Sequence, residues 1–166
     1  MARIYRQAPL NAIWEGSGNV ICLDVLRALR KEPDSATALF GEFRVAAEVA
    51  AASGDSRLVA AGNKLEALSC MIEGELREAT AQKGQEAAAL ALESGARRFV
   101  DHLGLALQAS SLIRGADASV AAAFCEARLG PREQWTPNLG GLATSTVIGR
   151  EAEGLLLRRA SVSPLP

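Results

Sequence analysis

The residues best suited to chemistry stand together near the start of the chain, in the run Trp14-Glu15-Gly16-Ser17-Gly18-Asn19. An acid precedes a Gly-Ser-Gly turn, and this turn opens a helix. The first turn of a helix offers unpaired backbone N–H groups and partial positive charge, which suit a phosphate or another anionic group. Trp14 is a flat apolar neighbour that can wall a pocket in which the pKa of Glu15 rises, as a general base requires.

The same run has a plainer interpretation, a glycine-rich loop that carries a surface glutamate, and the local pattern alone favours it. A dinucleotide-binding motif is excluded. The pattern G-x-G-x-x-G would need glycine at position 21, where Ile21 stands, and no strand precedes the turn.

The cysteines and the histidine indicate neither a metal site nor a nucleophile. Cys22, Cys70 and Cys125 lie far apart and form no CxxC pair, and His102 is the only histidine. A structural zinc site needs four ligands at workable spacing, so we expect no metal and three reduced, semi-buried thiols. His102 falls within a predicted helix without a nucleophile at useful spacing, and we expect a structural or exposed histidine.

A longer stretch, Arg3 to Val20, resembles the start of the last helical region of flavin-dependent acyl-CoA dehydrogenases. The pattern in that family is an aromatic residue, then Glu-Gly-Thr or Glu-Gly-Ser, then a helix that ends near an arginine. The version here continues with Cys22-Leu23-Asp24-Val25-Leu26-Arg27 and resembles the AidB-type branch, named for a bacterial adaptive-response protein to alkylation damage. The resemblance is specific over about residues 3–30, which we call the opening stretch, and is looser through the later helices.

The resemblance implies roles for four residues. In the family, a carboxylate removes the α-proton of an acyl-CoA thioester while the β-hydrogen leaves as hydride to FAD, and Glu15 matches that catalytic base. Gly16 would let the backbone pass close to the thioester, which makes it a substrate-binding residue. Ser17 and Asn19 match positions that contact the FAD cofactor. Arg27 matches no catalytic residue, and we expect it at a solvated end of the helix.

The resemblance also implies that this chain is inactive alone. The dehydrogenases enclose flavin and thioester with an N-terminal helical domain, a middle β-domain and a preceding pair of long helices, whereas this chain begins shortly before Glu15. A base is productive only when the reacting atoms are held at the correct separation. We therefore expect a C-terminal fragment from a truncated gene, a split gene or an isolated domain. Its partner would be a separate chain that carries the missing dehydrogenase domains.

Two other functions are open, a DNA-binding module and an oligomerisation module that makes homo-oligomers. DNA affinity follows the number of phosphates that a protein neutralises. The net charge is -1, basic residues interleave with glutamates, and the basic doublets are only Arg97-Arg98 and Arg158-Arg159. We therefore expect weak DNA binding or none. The N-terminus has no signal-peptide-like apolar run, and no stretch is long enough to span a bilayer, so we expect a cytoplasmic protein without membrane contact.

The composition and the periodicity predict an all-α fold, an antiparallel helical bundle. Hydrophobic residues make up 49 % of the 166 residues but aromatic residues only 4 %, so the apolar content is mostly alanine, leucine and valine. Alanine and leucine are strong helix formers. Residues 1–32 are assigned to a dehydrogenase remnant, 33–160 to an AidB-like helical domain and 161–166 to a disordered tail. Helices are predicted over about Val20–Arg30, Ala36–Ala52, Ser56–Ala81, Gln85–Arg114, Ser119–Leu129 and Ala143–Ala160, with a loop over 130–141. Apolar residues three or four positions apart predict the buried faces of three of them: Val20, Leu23, Leu26 and, one face over, Leu29 in the first; Leu58, Gly62, Leu65, Leu68, Ile72 and Leu76 in the third; Leu92, Ala96, Phe99, Leu103, Leu107 and Ser110 in the fourth.

Overall fold

A computed structural model describes residues 2–12, 18–80, 85–129 and 150–160. Every regular element in these ranges is helical, and they contain no strand, which confirms the all-α bundle. The elements are α1 (Ala2–Gln7), a 3₁₀ helix (Ala8–Ala12), α2 (Gly18–Lys31), α3 (Pro33–Ala52), α4 (Ser56–Thr80), α5 (Gln85–Ser94), α6 (Ala96–Gly115), α7 (Ala118–Arg128) and α8 (Arg150–Ala160).

The bundle is built on α3, α4 and α6, each of which packs against the other two. Residues 53–55 are the whole connection between α3 and α4, so these helices run antiparallel. α7 packs on α4 and α6 and lies parallel to α4, because Arg57 bonds to Ser119 and Lys64 pairs with Glu126 seven residues further along both helices. α2 packs mainly on α6, and α8 packs on α7.

The core consists of a few large side chains set among many alanines. Phe43, Phe99, Leu65 and Ile72 are fully buried, and alanines such as Ala46, Ala50, Ala106 and Ala109 line the surfaces between helices. Small residues let helix backbones approach closely, so a core with few aromatics still packs densely. The predicted stripe of α4 is confirmed, since all its members are buried: Leu58, Gly62, Leu65, Leu68, Ile72 and Leu76.

Two of the predicted apolar faces are partly wrong. In α2 the buried residues are Cys22, Leu26 and Leu29, whereas Val20 and Leu23, which the pattern placed on the core side, are 52 % and 48 % exposed. In α6 the predicted core residue Leu107 is exposed. A helix turns by about 100° per residue, so the successive steps of three from Leu26 back to Val20 drift off the buried face of α2. Two successive steps of four, from Phe99 to Leu107, drift the other way and carry Leu107 past the edge of the buried face of α6.

The long helix predicted over Gln85–Arg114 is divided at Gly95 into α5 and α6. The interruption between α5 and α6, which we call the Gly95 joint, is confined to that residue, because helical hydrogen bonds continue on both sides of it. The N–H of Gly95 donates to the carbonyl of Ala91, and the carbonyl of Gly95 accepts from the N–H of Phe99. The start of α3 also differs from prediction. Pro33 takes the first helical position, where its missing N–H costs nothing, and no side-chain cap forms at Glu32.

Some sequence predictions fall outside the described residues. These are the loop over 130–141, the first part of the last predicted helix over 143–149 and the tail 161–166. The domain boundary at residue 32 remains a prediction, and the structure adds that α2 shares one hydrophobic core with α3, α4 and α6. Within the described ranges, no helix is both long enough and apolar enough to cross a bilayer.

Candidate functional site

The opening stretch is described on both sides of residues 13–17. Glu15, Gly16 and Ser17, for which we predicted the base, the thioester contact and a cofactor contact, lie outside the described residues. Asn19, the second predicted cofactor contact, lies in the first turn of α2 and is exposed. The geometry of this end of α2 is therefore what the structure contributes to the site.

α2 is fixed on the bundle by one apolar face and by a polar contact at each end. Cys22, Leu26 and Leu29 enter the core. At the first turn, Arg97 Nη1 donates to Asn19 Oδ1 at 3.2 Å. At the last turn, Arg30 Nη1 lies 2.8 Å from Glu93 Oε1. Because Glu93 belongs to α5 and Arg97 to α6, the two ends of α2 contact both sides of the Gly95 joint.

The Arg97 guanidinium lies directly over Gly18. A Cβ built on Gly18 would be 2.8 Å from Arg97 Nη1 and 3.4 Å from Arg97 Cζ. The Arg97 Nε atom also lies 3.9 Å from Asp101 Oδ1, one turn further along α6. Burial raises the pKa of the Cys22 thiol, which Arg97 partly opposes, so the same guanidinium acts on the next turn of α2 as well.

The outer side of the opening stretch is apolar and exposed. Val20 and Leu23 project from α2 away from the core, and the N-terminal helix α1 exposes Ile4 and Tyr5. Asn19 fits the role of a polar contact to a flavin, since an amide NH₂ donates to carbonyl and phosphate oxygens. Each of these residues is exposed, whereas a flavin and a thioester need an enclosed site. Their enclosure would have to come from other residues.

The remaining candidates take structural roles. Arg27 pairs with Asp24 at 2.8 Å with both side chains exposed, in line with the predicted solvated end of the helix. Arg98 faces Glu75 at 3.8 Å, so neither arginine of the Arg97-Arg98 doublet is a bare surface charge. His102 is buried in α6. Among the described residues, no three histidine, cysteine or acidic side chains form a group that could hold a metal ion.

Arg97 is the residue of this site that sequence reasoning missed. It was considered only as one half of a basic doublet. It is 78 positions from Asn19 in sequence, and no local pattern links the two. The signal in the sequence is the position of the doublet, which begins two residues after Gly95, at the joint that α2 crosses.

A separate groove runs between α3 and α4 on another part of the bundle. It has a volume of about 410 Å³, and acidic side chains line it together with the exposed thiol of Cys70. None of the residues of the opening stretch line this groove. It therefore gives no support to the predicted dehydrogenase site.

Comparison with known proteins shows one short similarity to a curated protein of Escherichia coli (strain K12), named "Putative acyl-CoA dehydrogenase AidB". The two sequences are 62 % identical over 32 residues, which is 19 % of this chain and 6 % of the relative. The match thus supports a relation to acyl-CoA dehydrogenases over a segment about as long as the opening stretch, and over a small part of either protein. No protein-family model and no solved structure matches the chain.

Proposed function

We propose that this chain is the C-terminal helical part of an AidB-type, FAD-dependent acyl-CoA dehydrogenase. It acts in the α,β-oxidation of an acyl-CoA thioester only together with the other dehydrogenase domains. The observation that carries the proposal is that the opening stretch has both a buried apolar face and exposed apolar residues. One face of α2 is buried in the bundle, while large apolar residues of α1 and α2 are exposed in the stretch that resembles the dehydrogenases.

The exposed residues support a covering partner because they are close together in sequence and large. Single exposed apolar side chains are normal on protein surfaces, whereas groups of them mark contact sites. Ile4 and Tyr5 are neighbours on α1, and Val20 and Leu23 lie one turn apart on α2. A dehydrogenase body that covered them would also supply the walls that the open surface lacks.

In this proposal Glu15 accepts the α-proton of the thioester, and Gly16 lets the backbone lie close to the acyl group. Ser17 and Asn19 bind the cofactor. The flavin, when bound, supplies the hydride acceptor. A base that is not held against its substrate loses the large advantage of a fixed reaction geometry, so the chain alone is expected to be inactive.

The first experiment is the visible absorbance of the purified chain after incubation with FAD and desalting. We expect a colourless protein, because the described residues do not enclose a ligand. A retained flavin spectrum would show that the chain forms a cofactor site unaided, and the need for other domains would then be wrong.

The second experiment supplies those domains. In a chimera, the E. coli relative supplies everything before its matched segment, and this chain supplies everything from Arg3 onward. We expect the chimera to retain FAD and to oxidise an acyl-CoA, and Glu15→Gln to abolish turnover while FAD remains bound. Asp24→Asn, at an exposed acid nine residues away that pairs with Arg27 at the surface, is the matched control and should remain active. A folded chimera without flavin would contradict the proposal.

An oligomerisation module is the second candidate, because the exposed apolar residues can equally be covered by another copy of the chain. Sedimentation of the purified chain separates the two functions. A stable dimer that buries α1 and α2 and excludes the dehydrogenase body would favour the oligomerisation module. DNA binding has no such support, since Arg97 and Arg98 contact Asn19, Asp101 and Glu75.

A further inference from the structure

We infer that Arg97 is a positioning residue, which holds the first turn of α2 and turns the Asn19 amide so that its NH₂ group faces the ligand side. The inference rests on the proposed function in one respect, that Asn19 contacts the cofactor. It adds a residue from outside the dehydrogenase-like stretch, because Arg97 belongs to the helical bundle that follows it.

The orientation of the amide follows from the chemistry of the two groups. A guanidinium carries only donors, so the atom of Asn19 that it contacts has to be the carbonyl oxygen. Arg97 Nη1 lies 3.2 Å from Asn19 Oδ1. With one lone pair of the oxygen engaged by Arg97, the donors that the amide offers are its two N–H bonds. An atom that binds this NH₂ group is an acceptor, such as a flavin carbonyl oxygen, a ring nitrogen or a phosphate oxygen.

The Arg97 guanidinium also lies close to Gly18, since a Cβ on Gly18 would approach Arg97 Nη1 to 2.8 Å. Because Nη1 is the end of a flexible side chain, an added side chain at position 18 would shift the guanidinium rather than be excluded by it. Gly18 and Asn19 directly follow Ser17 in the chain, so the position of this turn is linked to the residues that carry the proposed chemistry.

The helix that carries Arg97 is firmly packed, while the Arg97 side chain itself is 59 % exposed and is oriented by its contacts with Asn19 and Asp101. The neighbouring Phe99 is fully buried, and α6 packs against α2, α3, α4 and α7. Asp101 lies on the Nε side of the guanidinium at 3.9 Å, while Nη1 contacts Asn19. A charged donor on a rigid helix sets the geometry of its acceptor better than a donor on a loop does.

The first test uses the full chain and does not need a ligand. Hydrogen exchange is measured for the amides of Cys22 and Leu23, which lie one turn into α2. Arg97→Ala should raise their exchange about tenfold and leave α3 and α4 unchanged, because only the start of α2 loses a charged hydrogen bond. Arg97→Lys should restore part of the protection. Arg98→Ala is the matched control, since Arg98 is equally exposed but faces Glu75 on α4. Equal exchange in wild type and Arg97→Ala would overturn the positioning role.

The second test separates the oxygen of Asn19 from its NH₂ group. Asn19→Asp keeps an oxygen for Arg97 and removes the donors, whereas Asn19→Ala removes both. In the chimera with the E. coli relative, we expect Asn19→Asp to lower FAD affinity about tenfold while the exchange of Cys22 and Leu23 stays slow. Asn19→Ala should lower FAD affinity and speed the exchange.

The outcomes also separate this inference from the proposed function. Unchanged FAD affinity in Asn19→Asp would overturn the donor role of the amide. A folded chimera that binds no FAD, even with the wild-type sequence, would overturn the proposed function and with it that donor role. The exchange data on the full chain would still decide whether Arg97 positions α2.

Discussion

Gly62 of α4 faces Ala50 of α3 where these two helices approach closely. A Cβ on Gly62 would lie 2.6 Å from the Cβ of Ala50 and 3.5 Å from the carbonyl oxygen of Ala47. The atom in the way is the first carbon of a short side chain, which cannot move unless the backbone moves with it. The glycine therefore sets the spacing between α3 and α4, the pair on which α6 also packs.

Gly62→Ala is expected to destabilise the chain by about 1–2 kcal/mol. Overpacking costs about 1–3 kcal/mol, and the better helix propensity of alanine offsets up to about 1 kcal/mol of this. Gly74→Ala in the same helix is the control, because no atom lies within 4 Å of its added Cβ. That variant should gain about 0.5–1 kcal/mol. Urea unfolding followed by circular dichroism measures the stability of both variants. If the urea midpoint fell by a similar amount in both, the close contact between Gly62 and Ala50 would not be the cause of the destabilisation.

Leu103 and Leu107 lie one turn apart on α6 but differ in burial, with 6 % and 48 % exposed. Leu103→Ala should cost about 2–4 kcal/mol, since it removes a packed side chain and leaves a cavity. Leu107→Ala should cost less than about 1 kcal/mol, because much of its surface already meets water. The same urea experiment compares them. Losses of equal size would mean that the exposed face of α6 is covered by something else in solution.

The sequence alone predicts the helices and the buried face of α4 correctly, because both depend on residues three or four positions apart. It placed Val20, Leu23 and Leu107 on the wrong side, because the buried face of a helix is chosen by its neighbours and not by its own pattern. The prediction of three semi-buried thiols is too uniform, because Cys22 and Cys125 are buried and Cys70 is exposed. The contact of Arg97 with Asn19 could not be predicted, because it depends on how α2 crosses the Gly95 joint.

Asp55 should titrate at an unusually low pH. Arg57 donates to its carboxylate from Nε at 3.1 Å, from Nη2 at 2.8 Å and from the backbone N–H at 2.9 Å. These contacts lower the pKa of the Asp55 carboxyl from 3.8 to about 2. Since the folded pKa lies below the ordinary one, Asp55 contributes to stability above about pH 4, and the contribution is lost as the pH falls toward 2.

Carbon-detected NMR titration of the Asp55 carboxyl is the measurement for this prediction. Arg57→Ala should bring the pKa of the Asp55 carboxyl back toward 3.8, because the hydrogen bond from the Arg57 side chain is the largest cause of the lowered pKa. Arg77→Ala, which removes an arginine paired with Glu73 on the same helix, is the control and should leave Asp55 unchanged. An Asp55 that titrates at the same pH with and without Arg57 would exclude the assigned cause.

The three cysteines should differ sharply in reactivity toward a thiol reagent such as Ellman's. Cys70 is exposed on the groove between α3 and α4, whereas Cys22 and Cys125 are buried. Burial raises the pKa of the Cys22 thiol and raises that of Cys125 to about 12, so at pH 8 neither forms an accessible thiolate. We expect one fast thiol per native chain and three in denaturant. Cys70→Ser should remove the fast reaction and Cys125→Ser should leave it. Two fast thiols in the native chain would show that α2, which carries Cys22, opens readily from the bundle, and that the anchoring of α2 through Arg97 and Glu93 is weaker than its contacts indicate.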